Sequence, residues 1–159
     1  MRRTRVLTVL ALFAVLGVAC NDDNNGTGIP AGLEVFTATL NGANERPTVV
    51  ATTATGHAIV TLLGNQLTWK VDIDTPIDSI VGGAGGGHIH HGVADSAGPV
   101  RVFFNPVATG AGFTGTATEG NVVLTGDSVQ TWLRTGAAYV NIHTRANTGG
   151  EIRGQLIKQ

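Results

Sequence analysis

Apolar and polar residues alternate one by one along several short stretches of this chain. In the clearest stretch, Leu67, Trp69, Val71 and Ile73 are separated by single Thr, Lys and Asp residues. A period of two is typical of a β-strand with one buried face. The same alternation predicts five further strands, around residues 36–40, 58–62, 100–104, 138–142 and 152–156.

Glycine-rich segments separate these strands, as at residues 82–87 and 148–150. Many short strands joined by such turns predict an all-β fold, an antiparallel Greek-key β-sandwich. One short helix is predicted near residues 127–135. Asp127 and Gln130 have the spacing of a capping box at its start, and Gly136 follows its end.

The first residues have the pattern of an export signal. A basic start, an uncharged apolar run over residues 6–19 and a small residue before Cys20 are typical of a signal peptide, predicted over residues 1–19. Cys20 is the only cysteine and stands where a lipoprotein signal places the acylated residue. Ordinary secretion, with Cys20 uninvolved, is the alternative.

This interpretation divides the chain into three parts. After the signal, residues 20–32 are predicted to be the lipidated cysteine and a flexible polar tether, and residues 33–159 a single β domain. The predicted location is the outer membrane and periplasm or the cell surface, with the lipid on Cys20 inserted in the membrane.

Charge argues against nucleic acid as a partner. With Arg2, Arg3 and Arg5 in the signal, the ten Lys and Arg residues become seven against eleven Asp and Glu, a net charge of −4. Nucleic-acid binding requires a basic surface. Without a second cysteine the fold has no internal disulfide, and its apolar core must hold it together.

Three histidines form a candidate metal site. In an extended segment, His88 and His90 lie on one side and Ile89 on the other. If Ile89 is buried, both imidazoles face outward together. Metal sites in proteins usually have a third ligand, and His143 is the candidate; imidazole suits copper or zinc.

The last predicted hairpin supplies neighbours for His143. A five-residue loop between Thr144 and Gly150 would put three pairs opposite each other on one polar face: His143 and Glu151, Asn141 and Arg153, Tyr139 and Gln155. A carboxylate beside an imidazole can fix its tautomer. Alternatively, these residues form ordinary cross-strand surface pairs, and the histidines bond the backbone around a glycine-rich loop.

Several motifs, taken in order, resemble the CHRD (chordin) domain family. They are Leu40-Asn41-Gly42-Ala43-Asn44-Glu45-Arg46-Pro47, Thr55-Gly56, His88-Ile89-His90 with Gly98-Pro99-Val100, and Tyr139-Val140-Asn141-Ile142-His143-Thr144 with Gly149-Gly150-Glu151-Ile152-Arg153-Gly154-Gln155. The resemblance covers about residues 33–157. The family includes an extracellular growth-factor antagonist and many exported microbial proteins.

A weaker resemblance is to copper–zinc superoxide dismutase. His88-Ile89-His90 and Val140-Asn141-Ile142-His143 are similar to its copper-binding stretches, and Arg153 to the arginine that guides its anionic substrate. The resemblance implies a sandwich of the superoxide dismutase or immunoglobulin-like kind with a three-histidine site. No match is found for the dismutase's bridging histidine, zinc loop or disulfide.

These observations lead to two main hypotheses. The first is a non-enzymatic binding module at the cell envelope, with an unknown protein or envelope ligand and an exposed histidine cluster. The second is a copper- or zinc-binding protein, with redox activity as a candidate function, in which the nitrogens of His88, His90 and His143 converge to within about 4 Å. A hydrolase has little support, since no Ser/His/Asp arrangement stands out.

Overall fold

The computed structural model describes residues 29–159. The predicted signal peptide, Cys20 and residues 21–28 of the tether lie outside the described residues. Within the described part of the chain, no helix is long and apolar enough to cross a membrane.

The domain is built almost entirely from β-strands. They are β1 (Leu33–Asn41), β2 (Thr55–Leu63), β3 (Gln66–Ile77), β4 (Gly87–His91), β5 (Val100–Phe103), β6 (Phe113–Val123), β7 (Ala138–Ile142), β8 (Ile152–Gln155) and β9 (Ile157–Lys158). Two single 3₁₀ turns cover Gly42–Asn44 and Gly83–Gly85, and helix α1 covers Ser128–Arg134. The prediction of an all-β fold with one short helix is confirmed.

The strands join in one antiparallel sheet with the order β5-β4-β7-β8-β1-β2-β3-β6, and β9 adds to β1. The sheet curls until its two ends meet: the Thr118 hydroxyl on β6 donates to the Phe104 carbonyl just after β5, at 3.2 Å. Across the core, the Trp69 ring stacks on Phe104 with 4.8 Å between centroids. The two halves of the curled sheet therefore face each other across the core, as the layers of a sandwich do.

Alternation explains which face of each strand is buried. Leu67, Trp69, Val71 and Ile73 on β3 are all at most 8% exposed, while the residues between them are only partly covered. The other predicted apolar faces also enter the core. Strand β6 has no such pattern and escapes prediction; it buries only Ala117 and Thr118.

The helix agrees with its predicted position but not with its predicted cap. The side chain of Asp127 makes no cap hydrogen bond, so the capping-box prediction is wrong. Asp127 itself has helical dihedral angles, whereas a side-chain cap requires an extended residue. At the other end, Gly136 has φ +69°, the left-handed conformation that ends many helices.

Candidate metal centre

Two neighbouring strands bring the three histidines onto one face. In the β4–β7 pair, His88 lies opposite Asn141 and His90 opposite Tyr139. Ile89 points into the core and is 1% exposed, so the predicted orientation of the two β4 imidazoles is confirmed. His143 follows the last residue of β7.

The cluster is buried rather than exposed. His88, His90 and His143 are 5%, 8% and 7% exposed, because loops cover this outer face of the sheet. The exposed cluster expected for a simple binding module is therefore not what the fold produces. A buried polar group requires hydrogen bonds or an ion to offset its desolvation.

The three imidazoles approach one another closely. Nδ1 of His88 lies 3.0 Å from Nε2 of His143. One nitrogen from each of the three rings lies within 4.8 Å of the others. Around an ion bound at 2.0–2.1 Å, ligand nitrogens are separated by roughly 3.3–3.6 Å. The upper bound of 4.8 Å is about 1 Å larger than this spacing, and also about 1 Å larger than the separation expected from the sequence. Binding an ion therefore requires a small inward movement of one ring.

In each ring, the nitrogen that points away from the cluster bonds a main-chain carbonyl oxygen, which fixes the ring's orientation. The contacts are His88 Nε2 with the Ala84 oxygen at 2.6 Å, His90 Nδ1 with the Gly98 oxygen at 2.8 Å, and His143 Nδ1 with the Thr148 oxygen at 3.0 Å. A carbonyl only accepts, so each of these nitrogens carries the hydrogen. In the neutral rings, the lone pairs are then on Nδ1 of His88 and on Nε2 of His90 and His143.

These are the nitrogens that face the cluster. The Nε2 atom of His90 is buried and has no hydrogen-bond partner within residues 29–159. An N–H bond to a backbone carbonyl on the far nitrogen is also the usual support for a metal-bound histidine. The donor set therefore fits a copper or zinc ion, which imidazole nitrogens bind well.

Burial keeps two of the rings in the neutral form that binds metal. The pKa of His143 is lowered to about 4, chiefly by burial and further by the nearby His88 and His90, against the opposing effect of the Thr148 carbonyl. The pKa of His90 is also lowered, again mainly by burial, with smaller contributions from His88 and Arg153. Neither ring has to lose a proton to bind metal at neutral pH.

The predicted hairpin register is correct for the pairs that the ladder contains. Tyr139 lies opposite Gln155 and Asn141 opposite Arg153. Tyr139 holds the histidine site from the side: its ring stacks on His90 with 4.8 Å between centroids. Its hydroxyl accepts a hydrogen bond at 3.0 Å from the Gly98 amide, whose own carbonyl accepts from His90.

Contrary to expectation, no hydrogen bond joins Glu151 to His143 in the described part of the chain. The Glu151 carboxylate accepts hydrogen bonds from Thr52 at 2.8 Å, Thr144 at 2.6 Å and Asn147 at 3.3 Å. The loop after β7 supplies Thr144 and Asn147, and the segment before β2 supplies Thr52, so these donors take the place predicted for His143. Glu151 acts indirectly, since it fixes the loop whose Thr148 carbonyl orients His143.

Asn141 and Arg153 lead to a residue that sequence reasoning missed. The Asn141 side-chain amide donates to the Glu45 carboxylate at 3.3 Å, and Glu45 is 2% exposed. Burial raises the pKa of Glu45 to about 7, although Asn141 and Arg153 oppose the shift. The only sequence signal for Glu45 is its place in the Asn44-Glu45-Arg46-Pro47 motif.

The remaining two histidines lie elsewhere. His57 is exposed and pairs with Asp74 at 2.8 Å and Asp72 at 3.4 Å. His91 stacks on Trp132 with 4.1 Å between centroids. Both have ordinary surface environments, as predicted.

Comparison with known proteins identifies the domain. The family model for the CHRD domain matches residues 36–156, most of the chain. The protein belongs to the CHRD domain family. No curated protein and no solved structure matches it. The CHRD match supports the stronger of the two resemblances and adds nothing to the one with superoxide dismutase.

Proposed function

We propose that this CHRD-domain protein binds one copper or zinc ion through His88, His90 and His143. The observation that carries the proposal is the convergence of three lone-pair nitrogens in a buried cluster, each opposed by a backbone carbonyl on its far side. Hydrogen-bonded backbone fixes the tautomer of each ring before any ion arrives, so little ordering is required on binding.

The ligand set limits the chemistry. Three imidazoles leave at least one coordination position for water or a small ligand, as in reactive rather than structural zinc sites. A bound copper ion would supply one-electron chemistry. The protein's own residues bind and orient the ion: Tyr139 packs on His90, and the Glu151 network holds the loop opposite His143.

Metal content and a triple variant test this proposal. The purified protein, stripped with chelator and reloaded with zinc(II) or copper(II), is expected to retain one equivalent after dialysis. His88→Gln/His90→Gln/His143→Gln is expected to retain none, because all three nitrogen ligands are lost. His57→Gln is the matched control and keeps the full equivalent. Equal retention by the triple variant and the native protein, with both folded by circular dichroism, would refute the proposal.

We also propose that the domain is exported and attached to a membrane by a lipid on Cys20. Support comes from the basic start, the apolar run and the single cysteine, followed by a polar tether to Gly32. The proposed anchor would hold the domain, as a lipoprotein, in the periplasm or at the cell surface. Its broader role as an interaction module for a protein or envelope ligand stays a prediction.

The anchor has its own test. Mass spectrometry of the protein from membranes should find an N-terminus at Cys20 carrying fatty acids, and Cys20→Ser should prevent acylation. A mature N-terminus elsewhere, without lipid, would show ordinary secretion instead.

A further inference from the structure

The two ends of the curled sheet meet at one point and leave a groove beside it. They meet where the Thr118 hydroxyl on β6 bonds the carbonyl of Phe104 after β5. The groove has β5 on one side and the end of β6 on the other, and helix α1 completes the lining with Trp132. Ligand sites in proteins are common at such openings, including the mouths of β-barrels.

The groove is large enough for a small molecule. Its volume is about 550 Å³. Binding sites for small molecules commonly have volumes of about 300–1,000 Å³. At about 30 Å³ for each non-hydrogen atom, the share of one molecule in liquid water, the groove has room for roughly 12–18 such atoms.

Apolar side chains form most of the lining, and several of them are exposed to water. Phe103, Val122 and Val123 are 51%, 36% and 55% exposed. Next to them, Val102 and Leu124 belong to the hydrophobic core. The groove therefore leads from an apolar surface to the edge of the core. An apolar ligand in it would remove this surface from water, which is favourable.

Arg101 is the only charged residue among those that line the groove. It is exposed on β5, and its Cζ atom lies 5.0 Å from the centroid of the Trp132 ring. On the same ring, His91 stacks with 4.1 Å between centroids. Within residues 29–159, no carboxylate or carbonyl accepts a hydrogen bond from Arg101. Its guanidinium is therefore available to an anionic group of a ligand.

The groove is distinct from the histidine cluster. Phe103 stands at the boundary, because its ring lines the groove and also meets the His88 ring edge-on, with 5.3 Å between centroids. None of the three clustered histidines lines the groove. A ligand whose anionic group lies at Arg101 is therefore not a ligand of an ion at the histidines.

We propose that the groove binds a molecule with an aliphatic chain and one terminal carboxylate, such as a medium-chain fatty acid. The chain lies against Phe103, Val122 and Val123, and the Arg101 guanidinium hydrogen-bonds the carboxylate. The chain is aliphatic rather than aromatic because His91 and Arg101 already pack on the Trp132 ring. The charged group is a carboxylate rather than an ammonium because the one charge of the lining is positive.

Calorimetric titration of chelator-treated protein with decanoate, below its micelle concentration, tests the proposal. Decyltrimethylammonium has the same chain with a positive charge, and acetate has the carboxylate without the chain. We expect saturable binding of one decanoate per chain, with an affinity at least about tenfold higher than that of the cation. Acetate should show no saturable binding, because it buries almost no apolar surface.

Two pairs of variants locate the site. Arg101→Gln should weaken decanoate binding about tenfold, whereas Arg145→Gln removes the same charge from an exposed position outside the groove and should have no effect. Val123→Asp should also weaken it at least about tenfold, since the new charge would face the apolar chain. Val49→Asp is the matched control, at 59% exposure outside the groove, and should leave binding unchanged.

Several results would overturn the proposal. They are no saturable binding of decanoate, equal affinity for the cation, or equal effects of a groove variant and its control. Sedimentation of the ligand-free protein should show a monomer; a dimer that Val123→Asp dissociates would mean that a second copy of the chain covers the groove instead. Because chelator is present, none of these results depends on the metal site.

Discussion

Nδ1 of His88 and Nε2 of His143 face each other at 3.0 Å while the opposite nitrogen of each ring bonds a backbone carbonyl. If both rings are neutral, two lone pairs point at each other, which is unfavourable. The contact is stable only with a proton or a cation between the rings. The fold thus builds a position suited to a positively charged species, and in the proposal above this species is a metal ion that also reaches Nε2 of His90.

Gly150 tests the packing of the polar face behind the histidines. A Cβ atom there would lie 2.5–2.6 Å from the Asn141 amide atoms and 2.8 Å from Glu45 Oε1, and its φ of +128° is rarely adopted by other residues. Gly150→Ala should lower the free energy of unfolding by about 2–3 kcal/mol.

Gly149→Ala is the matched control for this substitution. A Cβ at Gly149 meets nothing within 4 Å, so stability in urea should change little. Equal stability of the two variants would show that Asn141 and Glu45 are not packed against Gly150.

Glu45 should make stability fall as pH rises. Its pKa is about 7 in the folded protein against 4.5 for an unperturbed carboxyl. The folded state therefore holds a proton that the unfolded chain has lost, and the free energy of unfolding decreases between about pH 4.5 and 7 before levelling off. Glu45→Gln removes this decrease and should be more stable than the native protein at pH 8, by on the order of 2 kcal/mol.

Urea denaturation at pH 5 and pH 8 measures this effect. The native protein is expected to lose stability between the two values more steeply than Glu45→Gln. Parallel pH profiles would mean that the carboxyl is already ionised in the fold.

Glu34 should act in the opposite direction. Hydrogen bonds from Arg134 and then Lys158 lower its pKa to about 2. Its contribution is present above pH 4.5 and is lost as the pH falls towards 2. Because both partners are about half exposed, solvent screens the ion pairs and their contribution to the stability of the fold is small.

Substitution of Glu34 or of Arg134 tests how much their ion pair contributes to stability. Glu34→Gln and Arg134→Gln should each lower the free energy of unfolding at pH 6, and the differences from native should shrink at pH 2. High salt should reduce them as well, since it screens exposed charges. If the differences in stability persisted unchanged at pH 2, they would arise from packing rather than from charge.

The sequence predicts the local parts of this structure well. Alternation locates β3 and the outward pairing of His88 with His90, because one buried face per strand leaves a visible period of two. The same reasoning gives the hairpin register from Tyr139 to Gln155. The alternation does not predict strand β6. In the run from Phe113 to Val123, Thr and Gly outnumber apolar residues, and pairing with β3 holds the strand rather than an apolar face.

Contacts made by loops escape the sequence almost completely. Glu45 and Asn141 are 96 residues apart in the chain, and no local sequence pattern predicts the hydrogen bond between them. The carbonyls that fix the histidine tautomers belong to turns around Ala84, Gly98 and Thr148, whose backbone direction depends on the folded loops. Strand register alone predicts that Glu151 lies beside His143, but Thr52, Thr144 and Asn147 hydrogen-bond its carboxylate instead.

The most direct test of the three-histidine proposal is ¹⁵N NMR of the imidazole rings during titration with zinc(II). At one equivalent, we expect Nδ1 of His88 and Nε2 of His90 and His143 to shift together to metal-bound positions. The opposite nitrogen of each ring should keep its hydrogen, and His57 should be unaffected. If the three rings show no change at one equivalent, or only His57 and His91 respond, the proposed metal centre is wrong.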